Sequence, residues 1–433
     1  MFVAPDGRNL IFTFWLVSSL FCLWGFCNGM IDVMDKHFQE ALHLTLSQSA
    51  WVQFAHYLGY CIMALPASWL ATRLGYKGGI VAGLLLVSIG GFWFIAATRI
   101  DAFWAFLLGV CVIASGLTFL ETVANPYTTV LGDKRYSAVR INLAQSCNGI
   151  GWIFGPIAGG MFFYSADASG HSTGSQTLYI PYVGVAILVL VLAVGFYFAY
   201  MPDIRTKDEF QADEETAKDV GSIWRLPHFS MAVVAQFLYV AAQAGIFSFF
   251  INYMTSQVPP IPEHWVRVFQ QLGLSKWVAA SPAGLWSLTD KGASNLASVA
   301  FFCFLAGRFS GAGILSRVAS WRVLSLYGIL NVAATLVVFA KLGWISVAAV
   351  FLSYFFMSIM FPTIFALGIH GLGSRTKLAS GFLVMAIMGG ALLPKLMGYI
   401  ADQTDLSRSF IVPMICFAFV AFYGWRWPKL SGR

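Results

Sequence analysis

Charge is what this chain has least of. Only 10% of its 433 residues are Asp, Glu, Lys or Arg, against roughly 25% in a soluble domain. A soluble globular protein of ordinary composition is therefore excluded. No Gly-x-x-x-x-Gly-Lys-Ser/Thr loop is present, so the chain carries no phosphate cradle of its own for an ATP motor. There is also no His-Glu-x-x-His and no Gly-x-Ser-x-Gly, which removes the zinc-protease and serine-hydrolase patterns. The seven cysteines, Cys22, Cys27, Cys61, Cys111, Cys147, Cys303 and Cys416, sit inside apolar runs with no Cys-x-x-Cys pair. Neither a disulfide framework nor a zinc site is expected. Asp32 and Asp35 are spaced like a metal-binding pair, but a single pair carries little weight. An intramembrane enzyme would need a clustered motif and a sizeable soluble domain, and neither is seen. The formal net charge of +7 is spread over short loops, so a nucleic-acid partner is not expected. No cofactor is expected.

What the chain has instead is long apolar runs. Hydrophobic residues make up 58% of it, with a mean hydropathy of +0.74. Windows of membrane-spanning length give twelve spans, at 9–33, 49–72, 79–98, 102–130, 139–163, 179–201, 228–254, 294–314, 321–341, 343–369, 377–401 and 409–427. The first is too long for a signal-peptide core and lacks a cleavage site, so it is expected to be retained. An even number of spans puts both termini on one side. That side, with its loops and flanks at 73–78, 131–140, 202–227, 308–322 and 370–377, holds 18 Lys and Arg against 7 on the other, Lys395 lying within a span. The positive-inside rule then makes both termini cytoplasmic.

The most charged segment, 202–227, reads as a cytoplasmic linker between an N-terminal six-helix half, 1–201, and a C-terminal one, 228–433. The longest outer loop, about 255–293, is rich in Pro, Trp and Gly and is expected to hold a short amphipathic helix near Trp265–Leu272. The halves repeat weakly. Arg73 and Arg317, Pro126 and Pro362, and Pro156 and Pro394 are separated by 244, 236 and 238 residues. Three matches at nearly one offset point to a parallel duplication of a six-span unit.

The polar residues inside the spans are the candidate site. Glu121 and Asn125 share a helix face in span four, with Pro126 just past them loosening the helix. A carboxylate at membrane depth costs at least about 2.5–3.5 kcal/mol, so Glu121 should face a cavity or a partner. The alternative is a structural ion pair with Arg140. Asn28 and Asp32 share a face of span one. Asp32 is a candidate proton carrier, unless the span ends earlier and Asp32 is a loop acid beside Asp35 and Lys36. In span five Asn142, Gln145 and Asn148 make a polar stripe, followed by Gly151, Gly155 and Gly159. Amides that donate and accept suit a ligand with several hydroxyls, or else bond between helices. The glycines form a ridge for close helix packing. Span seven offers Gln236, Tyr239 and Gln243, with Asn252 beyond, open to the same two readings. Gln53 and His56 lie in span two, His56 favoured as a hydrogen-bonded core residue over a proton relay. Lys395 is expected to snorkel. Arg73, Lys77, Arg317 and Arg322 sit at cytoplasmic span ends, as topogenic charges or as an inner gate gripping carboxylates or helix C-termini.

Several stretches carry a resemblance. They are Leu120–Gly132 (Leu-Glu-Thr-Val-Ala-Asn-Pro-Tyr-Thr-Thr-Val-Leu-Gly), Arg140–Gln145 (Arg-Ile-Asn-Leu-Ala-Gln), Gly307–Gly311 (Gly-Arg-Phe-Ser-Gly) and Phe361–Ile369 (Phe-Pro-Thr-Ile-Phe-Ala-Leu-Gly-Ile). On these the chain resembles the fucose–galactose–glucose:proton symporter family of the major facilitator superfamily. The resemblance implies an all-α integral membrane protein of twelve transmembrane helices in two six-helix halves. It implies a proton-coupled monosaccharide importer, for L-fucose or a related hexose, in a bacterial inner membrane and expected to be a monomer. Asp32 matches the family's proton-carrying acid, Glu121 the acid that contacts sugar and couples it to the proton, and Gln145 a sugar-contacting amide. The chain departs from the family's fucose carriers at Gly29 and Ile31, which stand where those have asparagines. It also departs at His56 and Met360, which replace an aromatic and an amide. Sodium coupling, efflux and a non-transporting sugar sensor are the rival readings.

Overall fold

The computed structural model describes residues 2, 8–131, 137–164, 179–199, 201, 223–280, 284–315, 317–370, 372 and 376–432. Among these, ten helical stretches are long and apolar enough to cross a membrane. Helices also follow the two other expected spans, 49–72 and 139–163. Strand is confined, among the described residues, to one short antiparallel hairpin. In hydrocarbon each backbone polar group must bond within its own segment, which is why helix dominates. By packing the chain divides into two compact units, Met1–Leu42 with Ala55–Thr206, and His43–Phe54 with Lys207–Arg433.

The first unit is built from α1 (Ile11–Ala41), most of α3 (Trp51–Ile100), α4 (Phe103–Val130), α5 (Ser137–Phe162) and α6 (Tyr179–Phe198). The short α2 (Leu46–Ser49) between α1 and α3 packs with the second unit. Helix α1 runs well past the expected end near residue 33, which corrects the reading of Asp32 as a possible loop acid. Hydropathy falls at Asp32 and Asp35, yet both are buried helix residues. A Lys36–Glu40 ion pair of 2.9 Å, at i, i+4, supports the last turns. Spans two and three form one helical run broken at Gly75, whose φ of 71° lies in the region that glycine alone enters cheaply. Helix α4 continues to Val130 past Pro126, so the expected loosening does not end it.

Helices α1 and α5 meet backbone to backbone. A Cβ built on Gly155 would lie 2.8 Å from the Cα of Gly29, and one on Gly159 would lie 2.9 Å from Val33. The ridge of small residues lets the two backbones approach, as the sequence pattern predicts. Outward faces carry bare apolar side chains, such as Val191 at 63% and Phe198 at 79% exposure on α6. Such surface suits lipid rather than water.

The second unit holds α7 (Pro227–Ser248), α8 (Phe250–Ser256), α9 (Glu263–Gln271), β1 (Val278–Ala280), β2 (Trp286–Leu288) and α10 (Asp290–Leu315). It continues with α11 (Ser320–Phe339), α12 (Trp344–Met357), α13 (Met360–Gly368), α14 (Thr376–Met385), α15 (Gly389–Gln403), α16 (Leu406–Ser409) and α17 (Ile411–Leu430). Three spans here are broken: seventh into α7 and α8, tenth into α12 and α13, eleventh into α14 and α15. Helix α17 is tied in at one end by Trp427 Nε1 donating to the Leu367 carbonyl at 3.1 Å and by Tyr423 donating to the His228 carbonyl at 3.2 Å. The segment 43–54 is held to α15. Asp402 accepts from the backbone N–H groups of Leu46 and Ser47, each at 2.9 Å. A carboxylate there meets the unpaired donors of a helix N-terminus. Lys395 Nζ lies 3.4 Å from the ring centroid of Trp51. That contact gives Lys395 a cation–π seat.

Candidate functional site

In the first unit the polar side chains converge on α1. Trp24, Asn28 and Asp32 recur every four residues along one face of that helix. Tyr60 of α3 is the joint. It accepts a hydrogen bond from Trp24 Nε1 and bonds Asn28, and the Glu121 carboxyl of α4 faces it. Glu121 also lines a small cavity with Leu20, Phe21 and Trp24. From α5, Asn148 donates to Gln145 at 3.3 Å. It packs so closely on α1 that a Cβ on Gly25 would lie 2.6 Å from its side-chain oxygen. Glycine at 25 and 151 is thus what lets the amide of Asn148 sit beside α1.

Asn28, Asp32, Glu121, Gln145 and Asn148 therefore belong to one neighbourhood, built from three helices around α1. Asp32 is 8% and Asn28 5% exposed. The side-chain oxygens of Asn28 and Asn148 are buried and accept no hydrogen bond. A buried acceptor without a donor costs about 1–3 kcal/mol, a cost that a hydroxylated ligand would relieve. Asn125 and Asn142 lie on α4 and α5, but their side chains, like those of Arg73 and Arg140, fall outside the described residues. His56 is buried with its ring 5.0 Å from those of Tyr57 and Tyr60, an aromatic core position.

In the second unit Gln236 is fully buried and neither atom of its amide finds a partner. Tyr239, one turn on, donates to the Met357 carbonyl at 2.9 Å. Gln243 is half-buried and Asn252 buried. The tenth span breaks between Met357 and Met360, and Pro362, with no N–H, leaves the Ser358 carbonyl four residues back without its helical donor. Tyr239 meets the Met357 carbonyl at that break. Arg308 meets the next, its Nε 3.3 Å from the Ser358 carbonyl and its guanidinium 5.0 Å from the centre of the Phe304 ring.

Arg308 falls inside the expected span 294–314 and is also counted with its basic flank at 308–322. It lies within α10, seven positions before that helix ends at Leu315, and its bond to the Ser358 carbonyl ties it to the scaffold. Two further residues were not singled out. Tyr60 differs from many other aromatics only in its i+4 relation to His56. Asn331 of α11 is fully buried with both amide atoms unpartnered, and a lone polar residue in an apolar span was its available signal. Of the gate candidates, Lys77 donates to the Ala199 carbonyl at 3.0 Å, just past the C-terminus of α6. Arg317 is exposed, and Arg322 lies over the Trp321 ring.

Known proteins resemble this chain over nearly its whole length. The profile of the Major Facilitator Superfamily matches residues 14–394. A glucose/galactose transporter of Brucella abortus biovar 1 (strain 9-941) is 32% identical over 425 residues, covering 97% of this chain and 95% of the relative. An L-fucose-proton symporter of Escherichia coli (strain K12) is 32% identical over 438 residues, covering 97% of this chain and 94% of its own. The crystal structure of the transporter FucP in the outward conformation is 31% identical, covers 97% of this chain and 99% of that one, and superposes with a TM-score of 0.71.

Proposed function

The chain belongs to the major facilitator superfamily, and on that premise we propose that it imports a monosaccharide, L-fucose or a related hexose, together with protons by alternating access. The observation that carries this reading is the set of polar groups around α1. Asp32 and Glu121 lie among the apolar side chains of a membrane unit, with the unpaired oxygens of Asn28 and Asn148 beside them. Carboxyls at such depth are costly when charged and are suited to carrying a proton. Amide acceptors suit sugar hydroxyls. Relatives named for L-fucose–proton symport and for glucose and galactose transport support a hexose as the cargo.

In the proposed cycle Asp32 takes up the proton and Glu121 couples it to the sugar. Asn28, Asn125, Asn142, Gln145 and Asn148 bind the sugar from the first half. Gln236, Tyr239 and Gln243 do so from the second. Arg73, Lys77 and Arg317 act at a cytoplasmic gate, and the bond from Lys77 to the end of α6 is consistent with gripping a helix C-terminus. Residues 1–201 and 228–433 form the two halves, joined by the linker 202–227. The excess of Lys and Arg on one side supports an inner-membrane protein with both termini in the cytoplasm. It is proposed to act as a monomer.

The test is uptake of labelled L-fucose, D-glucose, D-galactose and N-acetylglucosamine into proteoliposomes, with and without an inward proton gradient and without sodium. Accumulation of one sugar only with the gradient is the expected result. Accumulation that needs sodium instead, or binding without movement, would overturn the proton-coupled assignment in favour of a sodium-coupled carrier or a sensor.

A further inference from the structure

The described residues of the long loop between α8 and α10 are tied together by backbone hydrogen bonds. Its helix α9 is followed by the hairpin of β1 and β2, paired Val278 to Leu288 through Ala280 to Trp286. The Ile261 N–H donates to the Trp286 carbonyl at 2.8 Å and the Leu274 N–H to the Phe269 carbonyl at 2.8 Å. The Thr289 N–H donates to the Trp277 carbonyl at 2.9 Å, tying the hairpin to the start of α10. These bonds hold α9 in place between the ends of two membrane-crossing helices.

Among the residues of α9 only Val266 is buried. Trp265, Val268 and Leu272 recur at i, i+3 and i+7, so they share one face, and they are 53%, 37% and 66% exposed. Glu263, Arg267 and Gln270 occupy the opposite arc, with His264 and Gln271 beside Val268. A helix that packs on its own protein turns its apolar stripe inward. Most of this stripe is turned out.

What covers the stripe follows from where it lies. Only six residues separate the end of α8 at Ser256 from the first turn of α9 at Glu263, a reach of at most about 25 Å. The same end of the second unit, where Pro259 approaches Gly343, also bares Trp344 at 46% and Ile345 at 64% in the first turn of α12. The exposed stripe of α9 thus continues the apolar, Trp-bearing rim of the spans, the composition of a membrane–water boundary.

We propose that α9 is an interfacial helix, its Trp265–Val268–Leu272 face seated in the boundary between headgroups and acyl chains, on the side of the membrane opposite the chain termini. A high segregation of apolar and polar faces on a short, weakly hydrophobic helix is the form that lies in that plane without crossing it. The proposal depends on the chain spanning a bilayer and not on which sugar or ion it carries.

A solvent-sensitive fluorescent amino acid placed singly at 265, 268 and 272, and at 263, 267 and 270, tests it in the full-length protein in nanodiscs. The native cysteines stay untouched, and folding is checked by elution as a single species. Brominated lipid and aqueous iodide serve as the two quenchers. The expected result is blue-shifted emission with lipid quenching above iodide quenching at 265, 268 and 272, and the reverse at 263, 267 and 270. Equal iodide quenching on both faces would overturn the proposal, because the stripe would then stand in water. Protection of the stripe from both quenchers would also overturn it, since a second copy or another protein would then cover the face.

Discussion

The two units treat their buried polar groups in opposite ways. In the first, two carboxyls and three amides gather round α1 and several of their acceptor atoms stay unspent. In the second, the strongest donors are spent on the scaffold. Tyr239 and Arg308 bond carbonyls at the break between Met357 and Met360, and the uncommitted groups include the neutral amides of Gln236 and Asn331. On the proposed reading the contrast is a division of labour. The proton-carrying acids belong to the first unit, and the second offers the sugar amide hydrogen bonds that do not change with pH.

The sharpest way to break that comparison is at Asp32. Asp32→Asn is expected to abolish uphill uptake while sparing sugar exchange across the membrane, read as counterflow in proteoliposomes. Gradient-driven accumulation by the variant would remove the coupling from the first unit. A loss of roughly tenfold in apparent sugar affinity is expected for Asn148→Ala, about the 1.4 kcal/mol of one hydrogen bond to a ligand. Gln236→Leu should lose a similar factor in affinity with an unchanged ratio of protons to sugar and no loss of thermal stability, since an apolar isostere removes an unpartnered buried amide. If Gln236→Leu altered the proton ratio, the second unit would share in coupling after all. Tyr239→Phe leaves the Met357 carbonyl without its donor and should cost about 0.6–2 kcal/mol, seen as a lower Tm of the purified protein, with coupling intact.

The smallest effect is expected outside the spans. Burial raises the Asp405 carboxyl, but the hydrogen bond from Lys341, the Arg408 backbone N–H and both cations outweigh it and hold it below the usual carboxylate range. A group whose folded value is depressed adds stability above its unfolded value near 3.8 and loses it as pH falls through the folded one. Asp405→Asn should therefore lower Tm slightly at neutral pH, by less than about 1 kcal/mol in stability. The difference from the wild type should vanish in acid.

Much of this was legible in the residues. Apolar runs of spanning length are unmistakable, and acids inside them stand out because hydrocarbon penalises them. The glycine ridge of α5 found its partner in α1, and α9 fell within a residue or two of its expected place. The features that escaped depend on long-range partners. The expected first span stops at residue 33 although α1 runs on to Ala41, and nothing local marks the bond from Arg308 to the Ser358 carbonyl. Nothing local indicates that the segment 43–54 is held by Asp402, which lies some 350 positions away in the chain. The two strands after α9 are three residues each, too short for an alternation to register.

The close seam between α1 and α5 has a consequence for how this carrier could change its cargo. A Cβ at Gly29 would lie 3.0 Å from the Pro156 ring and 3.1 Å from the Trp152 carbonyl. An asparagine there would not enter by a single exchange. It would require the two helices to part, and with them the amides of Asn28 and Asn148. Position 29 and the glycines facing it are therefore sterically coupled, and a side chain placed at 29 alone should yield a misfitted protein before it yields a new preference.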